Sequence, residues 1–213
     1  MRFALEIILV VMFLLNFYVL ATSRIRAVIN AVALQGVLLG VAPVLVHASS
    51  PLVSLGVTLP ALVLKGFAIP FLLHRALRNA EIKREVEPLV GFAPSVVLGA
   101  LGTGLAIVIS GRLPLLPEHS GSLIIPAALS TIFAGFLFLT TRMKAISQVL
   151  GFLILENGIF MFGLILVEAV PFLIEIGMLL DLFVAIFVMG IIINHINREF
   201  SSISTQNLSA LRE

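Results

Sequence analysis

Three ionisable side chains stand deep inside uniformly apolar stretches. They are Glu156 in Leu155-Glu156-Asn157, Asp181 in Leu180-Asp181-Leu182 and Lys65 in Leu64-Lys65-Gly66. Gln35, in Leu34-Gln35-Gly36, is a neutral amide in a similar setting. A charge at the centre of a bilayer costs about 2.5–3.5 kcal/mol on insertion scales, so an ionisable group there is first read as functional. Burial and neighbouring charge tune a carboxyl group so that it can accept and release a proton near neutral pH. Glu156 and Asp181 therefore point to proton handling, the structural alternative being protonated carboxyls that hydrogen-bond two helices together. Lys65 suits a relay or a structural ion pair. Gln35 suits packing, yet its depth makes it a candidate member of the same proton path.

The elements that must position these groups follow from composition. The chain has 213 residues, 60% hydrophobic and 11% charged, where soluble domains carry about 25% charged residues; its mean hydropathy is +1.20. Crossing ~30 Å of hydrocarbon takes about 20 predominantly apolar residues. Seven stretches qualify: 3–22, 27–47, 52–73, 89–109, 123–141, 145–167 and 172–194. They are too long and uniform for buried core helices, and they lack the alternation of transmembrane strands. The expected fold is an all-α polytopic membrane protein of about seven helices.

Loop charge orients it. Arg24 and Arg26 follow the first span, Arg75, Arg78, Lys83 and Arg84 the third, Arg142 and Lys144 the fifth, and Arg198 and Arg212 lie in the tail. Only Arg2 and Arg112 fall on the other side. Cytoplasmic loops collect Lys and Arg, so the amino terminus is expected outside and the carboxyl terminus inside. Val19-Leu20-Ala21 resembles a signal-peptidase site, but cleavage there would export Arg24 and Arg26, so the first span is read as uncleaved. The segment 74–88 reads as a solvated inner connector with the charges of an exposed helix. In the fourth span Gly91, Ser95, Gly99 and Thr103 recur at four-residue steps beside Ala100 and Gly104, a packing stripe without chemistry of its own. In the third, Pro60 and Pro70 would free the carbonyls of Gly56 and Gly66 and kink the helix around Lys65.

Other chemistries drop out. The sequence has no cysteine, which removes disulfides and thiolate-bound clusters or metals from this chain. No P-loop, dinucleotide fingerprint or zinc-protease motif is present, and no basic run is long enough to track nucleic acid. His47, His74, His119 and His195 all fall at span ends or in loops, which leaves bis-histidine haem without support.

Residues 123–213 resemble the small K subunit of respiratory complex I and the C subunit of multisubunit cation/proton antiporters. Thr141-Arg142-Met143-Lys144 matches the basic turn after the first of three spans. Gly151-Phe152-Leu153-Ile154-Leu155-Glu156-Asn157 resembles the segment bearing the first carboxylate, and Asp181 takes the place of the second, ahead of Asn194-His195 and a polar tail. The family usually has Glu at that second place, so Asp181 departs from it by one methylene. With four further spans in front, the whole chain is similar to component E of hydrogenase-4-type complexes, which are complex-I-related energy-converting hydrogenases that include formate hydrogenlyases. The resemblance implies a multi-pass subunit of a prokaryotic inner membrane, without a redox centre of its own. It would join antiporter-like and complex I H-like membrane subunits, among phospholipid, to a peripheral arm whose other subunits carry a [NiFe] centre and iron–sulfur clusters. Glu156 and Asp181 would then belong to a proton path. The alternatives are a cation/proton antiporter subunit with no redox partner, and a membrane scaffold.

The expected organisation is a four-span region, 1–122, ahead of a K-like three-helix module with a cytoplasmic tail, 123–213. Thr22-Ser23-Arg24-Ile25-Arg26-Ala27-Val28 resembles Thr140-Thr141-Arg142-Met143-Lys144-Ala145-Ile146, and Leu64-Lys65-Gly66-Phe67 matches Leu180-Asp181-Leu182-Phe183. These pairs suggest that 1–87 repeats the module, with 89–109 as an added packing helix. In that arrangement Gln35 and Lys65 occupy the places of Glu156 and Asp181.

Overall fold

The computed structural model describes residues 2–46, 59, 62–79, 88–113, 122–166, 183, 184, 186, 187 and 190. Every regular element among them is helical. In hydrocarbon a backbone must satisfy its own polar groups, and a helix does so within one segment. In chain order the helices are α1 (Arg2–Ala21), α2 (Ile25–Val46), a π-helical segment (Leu62–Ala68) that runs into α3 (Ile69–Asn79), α4 (Phe92–Ser110), α5 (Ile124–Thr141) and α6 (Ala145–Leu166).

Five of them, α1, α2, α4, α5 and α6, are long and apolar enough to cross a membrane. They fall on five of the seven expected spans. The third span departs from expectation. Beyond Leu59, its described part runs unbroken from Leu62 and stays helical to Asn79, past the expected boundary at 73, so the expected inner connector opens as a continuation of the helix. The backbone around Lys65 is also π-wound, whereas a proline kink was expected. Proline lacks the N–H that an α-helix requires, and π winding, in which each carbonyl reaches for the N–H five residues on, re-registers the ladder ahead of Pro70. The seventh span lies outside the described residues, apart from Phe183, Val184, Ile186, Phe187 and Gly190, which are helical.

Helices α5 and α6 form the centre. They pack along their lengths, with α1 and α4 against α5, and α2 against α6. Glycine permits this approach: a methyl group added at Gly135 would strike the backbone of Leu155, one at Gly151 that of Leu139, and one at Gly158 that of Ile132. Close backbone approach is how helices gain contact in lipid, where apolar side chains gain little by leaving the hydrocarbon. Helix α4 is peripheral. Its buried face is Ser95, Gly99, Gly102 and Ala106, so the packing stripe exists but is rotated from the expected one: Gly91 is the exposed N-cap and Gly104 faces open space. Thr103 meets Ser130 of α5 at 2.8 Å. The outward face of α1 carries Phe3, Ile7, Val10, Leu14 and Tyr18 at helical spacing, as a lipid-facing surface would.

One end of the bundle is tied by Arg142. It was expected as a loop charge but is 1% exposed. Its Nη1 donates to the Val90 carbonyl at 2.9 Å, and its Nη2 donates to the Leu20 carbonyl at 3.3 Å and to Ser95 Oγ at 3.4 Å. The guanidinium lies over the rings of Phe138 and Phe92, 5.1 and 5.3 Å from their centroids. It therefore neutralises the carbonyl end of α1 and clamps the entry to α4 onto the α5–α6 turn. The Leu89 amide donates to the Thr141 carbonyl beside it, at 2.8 Å. Burial holds the Arg142 pKa below its usual value. The connections after α1, before α4 and after α5, each carrying or flanking the basic residues counted above, thus meet at one face.

The α5–α6 contact yields a test. Gly135→Val would force methyl groups into the Leu155 backbone, and overpacking of this kind costs about 1–3 kcal/mol. The thermal midpoint of the purified protein in mild detergent should fall, whereas Gly104→Ala, which faces open space, should leave it unchanged or raise it slightly.

Candidate functional site

The expected polar residues converge. Lys65 projects from the π segment into the bundle, where Nζ meets Glu156 Oε1 of α6 at 2.7 Å. Both side chains are almost wholly buried, 5% and 2% exposed. Nζ also donates to Asn157 Oδ1 at 3.4 Å and lies 5.3 Å from the centroid of the Phe160 ring. The backbone makes this reach possible. Gly36 of α2 sits flat against Lys65, so that a methyl group there would come 2.7 Å from Lys65 Cβ. A larger residue at 36 would push the π segment and its lysine away from α6.

From this pair a chain of hydrogen bonds runs across the bundle. Asn157 Nδ2 donates to Gln35 Oε1 of α2 at 3.4 Å. Gln35 Nε2 donates to Asn16 Oδ1 of α1 at 2.9 Å, and Asn16 Nδ2 to Thr131 Oγ1 of α5 at 2.8 Å. Thr131 Oγ1 donates in turn to the Ala127 carbonyl one turn back on its own helix, at 2.7 Å. Every member is buried. Burying amides and a hydroxyl without partners would cost several kcal/mol, so each link in this chain depends on the next. A void of about 10 Å³ lies against Lys65 and Asn157, bounded by Ile29, Val32, Ile69, Pro70, Leu73 and Leu153. That is room for about one water.

Glu156, Lys65 and Gln35 therefore share one network, while Asp181 lies outside the described residues. The comparison of Lys65 with Asp181 that a duplication calls for falls there too. His74, at the basic end, pairs with Asn30 Oδ1 through Nε2 at 2.9 Å; burial, and then the charge of Arg26, hold its pKa below the usual value. Sequence reasoning missed Asn16, Thr131 and the buried role of Arg142. Asn16 carried a signal, since it is a primary amide within the first apolar span. Thr131 carried none, because hydroxyls commonly bond back to their own helix in such spans.

What the arrangement can do follows from its charge. A desolvated ammonium and carboxylate at this distance are stable as a pair, but removing one partner leaves the other's buried charge less well compensated. That typically costs about 3–5 kcal/mol, whereas replacing both is often neutral. Lys65→Met and Glu156→Gln should each lower the thermal midpoint and yield of the purified protein, and the double variant should recover more than half of the loss. Additive losses in the double variant would show that the two side chains act independently.

No profile of a known protein family matches the chain, and no solved structure does. Among curated proteins, "Uncharacterized protein Rv0085" of Mycobacterium tuberculosis is 32% identical over 195 residues, which is 89% of this chain and 87% of that one. "Hydrogenase-4 component E" of Escherichia coli K12 is 27% identical over 154 residues, 71% of this chain and 70% of that one, and the protein of the same name from Shigella flexneri matches equally. At 32% identity over nearly the whole of both chains, this helical protein belongs to the family of mycobacterial Rv0085, with hydrogenase-4 component E as a more distant relative.

Proposed function

We propose that the chain is a non-redox membrane-arm subunit of a complex-I-related, energy-converting hydrogenase, in which Glu156, paired with Lys65, handles protons. The observation that carries this reading is the buried ion pair at the middle of the helical bundle, joined to a polar chain through α2, α1 and α5. In water such a pair would always be ionised. In a low-dielectric interior the charged pair and the neutral pair, which differ by the position of one proton, lie much closer in energy. A charge arriving nearby in another subunit can then tip the balance, and that is the device a coupled proton path needs. Similarity to hydrogenase-4 component E supports the type of assembly. The [NiFe] centre and iron–sulfur clusters would reside on partner subunits, in keeping with a sequence that lacks cysteine. Antiporter-like and H-like subunits would flank this one in a prokaryotic inner membrane, with Asp181 as the second carboxyl of the path.

A scaffold reading also draws on the ion pair, which binds the π segment to α6 whether or not a proton moves. The two are separated in the intact complex. The charge-balanced variant Lys65→Met/Glu156→Gln should assemble, co-purify with nickel and iron, and lose at least ten-fold in proton translocation per turnover. Retention of full translocation would leave the pair as structural glue.

The proposed orientation has the face tied by Arg142 in the cytoplasm. With no native cysteine to interfere, Leu113→Cys should label with an impermeant thiol reagent in intact cells, and Ser23→Cys and Met143→Cys only after lysis. The opposite pattern would invert the topology.

A further inference from the structure

The polar chain has a direction. Beginning at Lys65, each group accepts through its oxygen from the side of the lysine and donates from its nitrogen or hydroxyl to the next member. Lys65 Nζ donates to Asn157 Oδ1, Asn157 to Gln35, Gln35 to Asn16, Asn16 to Thr131, and Thr131 to the Ala127 carbonyl. Three amide dipoles and one hydroxyl dipole are thus aligned head to tail, with the oxygen ends facing the ammonium. Hydrogen bonds in series polarise one another, and in a low-dielectric interior the effect is felt at the end of the chain. Primary amides neither gain nor lose protons in the accessible pH range. Their place beside a proton-handling pair is therefore to orient and polarise it. The far end is anchored by α1 and α5, helices that do not carry the pair.

We infer that Asn16 and Thr131 are positioning residues that act through Gln35 and Asn157 to hold the Lys65 ammonium against Glu156. The inference rests on the proton-handling reading of that pair, but it concerns different residues and makes a separate claim. Thr131 sets the polarity, because its hydrogen is committed to the Ala127 carbonyl and its lone pairs alone face Asn16. Asn16 is thereby fixed with nitrogen toward α5 and oxygen toward Gln35, and the order propagates to Lys65. Without the hydroxyl, Asn16 Nδ2 loses its acceptor, its amide is free to reverse, and the ordered chain ends at Gln35.

The test is an infrared titration of the Glu156 carboxyl in the assembled complex, its band identified by its disappearance in Glu156→Gln. Thr131→Val removes the hydroxyl at nearly constant shape, and Asn16→Leu removes the amide. Each should move the titration midpoint upward by about a few tenths of a pH unit, because the bond to the ammonium remains and loses only the polarisation that the missing links supplied. Thr131→Ser keeps the acceptor and should titrate like the wild type. The inference is overturned by an unchanged midpoint in both Thr131→Val and Asn16→Leu, or by a shift in Thr131→Ser equal to that in Thr131→Val. It is overturned as well if all three variants fail to assemble, since the chain would then serve folding alone. Normal proton translocation in the charge-balanced Lys65/Glu156 variant would instead defeat the proton-handling reading, and the titration would still decide whether Asn16 and Thr131 position the pair.

Discussion

A lysine and a glutamate paired in a buried interior impose strict conditions on everything around them. Neither charge tolerates the loss of the other, and a displacement of an ångström weakens the attraction that offsets their desolvation. Much of the bundle can be understood as meeting that demand. The π segment sets Lys65 at the surface of α2, Gly36 lets that surface come close, and the glycines of α5 and α6 bring α6 to a fixed place with Glu156 and Asn157 aimed inward. Side chains from α1, α2 and α5 then complete the polar surroundings.

The bundle contains a second buried cation, and the contrast with the first is informative. Arg142 is held by backbone carbonyls, a serine hydroxyl and two aromatic rings, and the partners seen among the described residues include no carboxylate. A guanidinium keeps its charge under almost all conditions and suits fixed, multidentate bonding, whereas an ammonium gives up its proton more readily when buried. Arginine therefore stands where permanent cross-bracing is needed, at the end of the helices, and lysine where the charge faces an ionisable partner. The division of labour matches the chemistry of the two side chains.

Relatives from mycobacteria and enterobacteria share most of the chain's length. The proton-handling role proposed above would draw on three features of the bundle: a helical frame, a buried ionisable pair, and a chain of buried polar groups beside it. The first two features also suit a scaffold. The third, an oriented chain of amides ending on a threonine, cross-links four helices as well as facing the pair.

Composition and span length alone determined that this is a helical membrane protein, because an apolar run of such length has no other stable conformation in lipid. They located five of the helices to within a few residues, and the cost of intramembrane charge singled out Lys65 and Glu156. Three things lay beyond the linear chain. Local pattern does not show π winding, since the choice between four- and five-residue ladders around Pro70 depends on what the helix packs against. Arg142 reads as an ordinary loop base until two helix ends and two rings are seen around it. The pairing of Lys65 with Glu156, ninety-one residues apart, and the recruitment of Asn16 and Thr131 beside it, depend on how five segments are placed. A hydrogen bond is a matter of distance and direction, and only the folded chain supplies either.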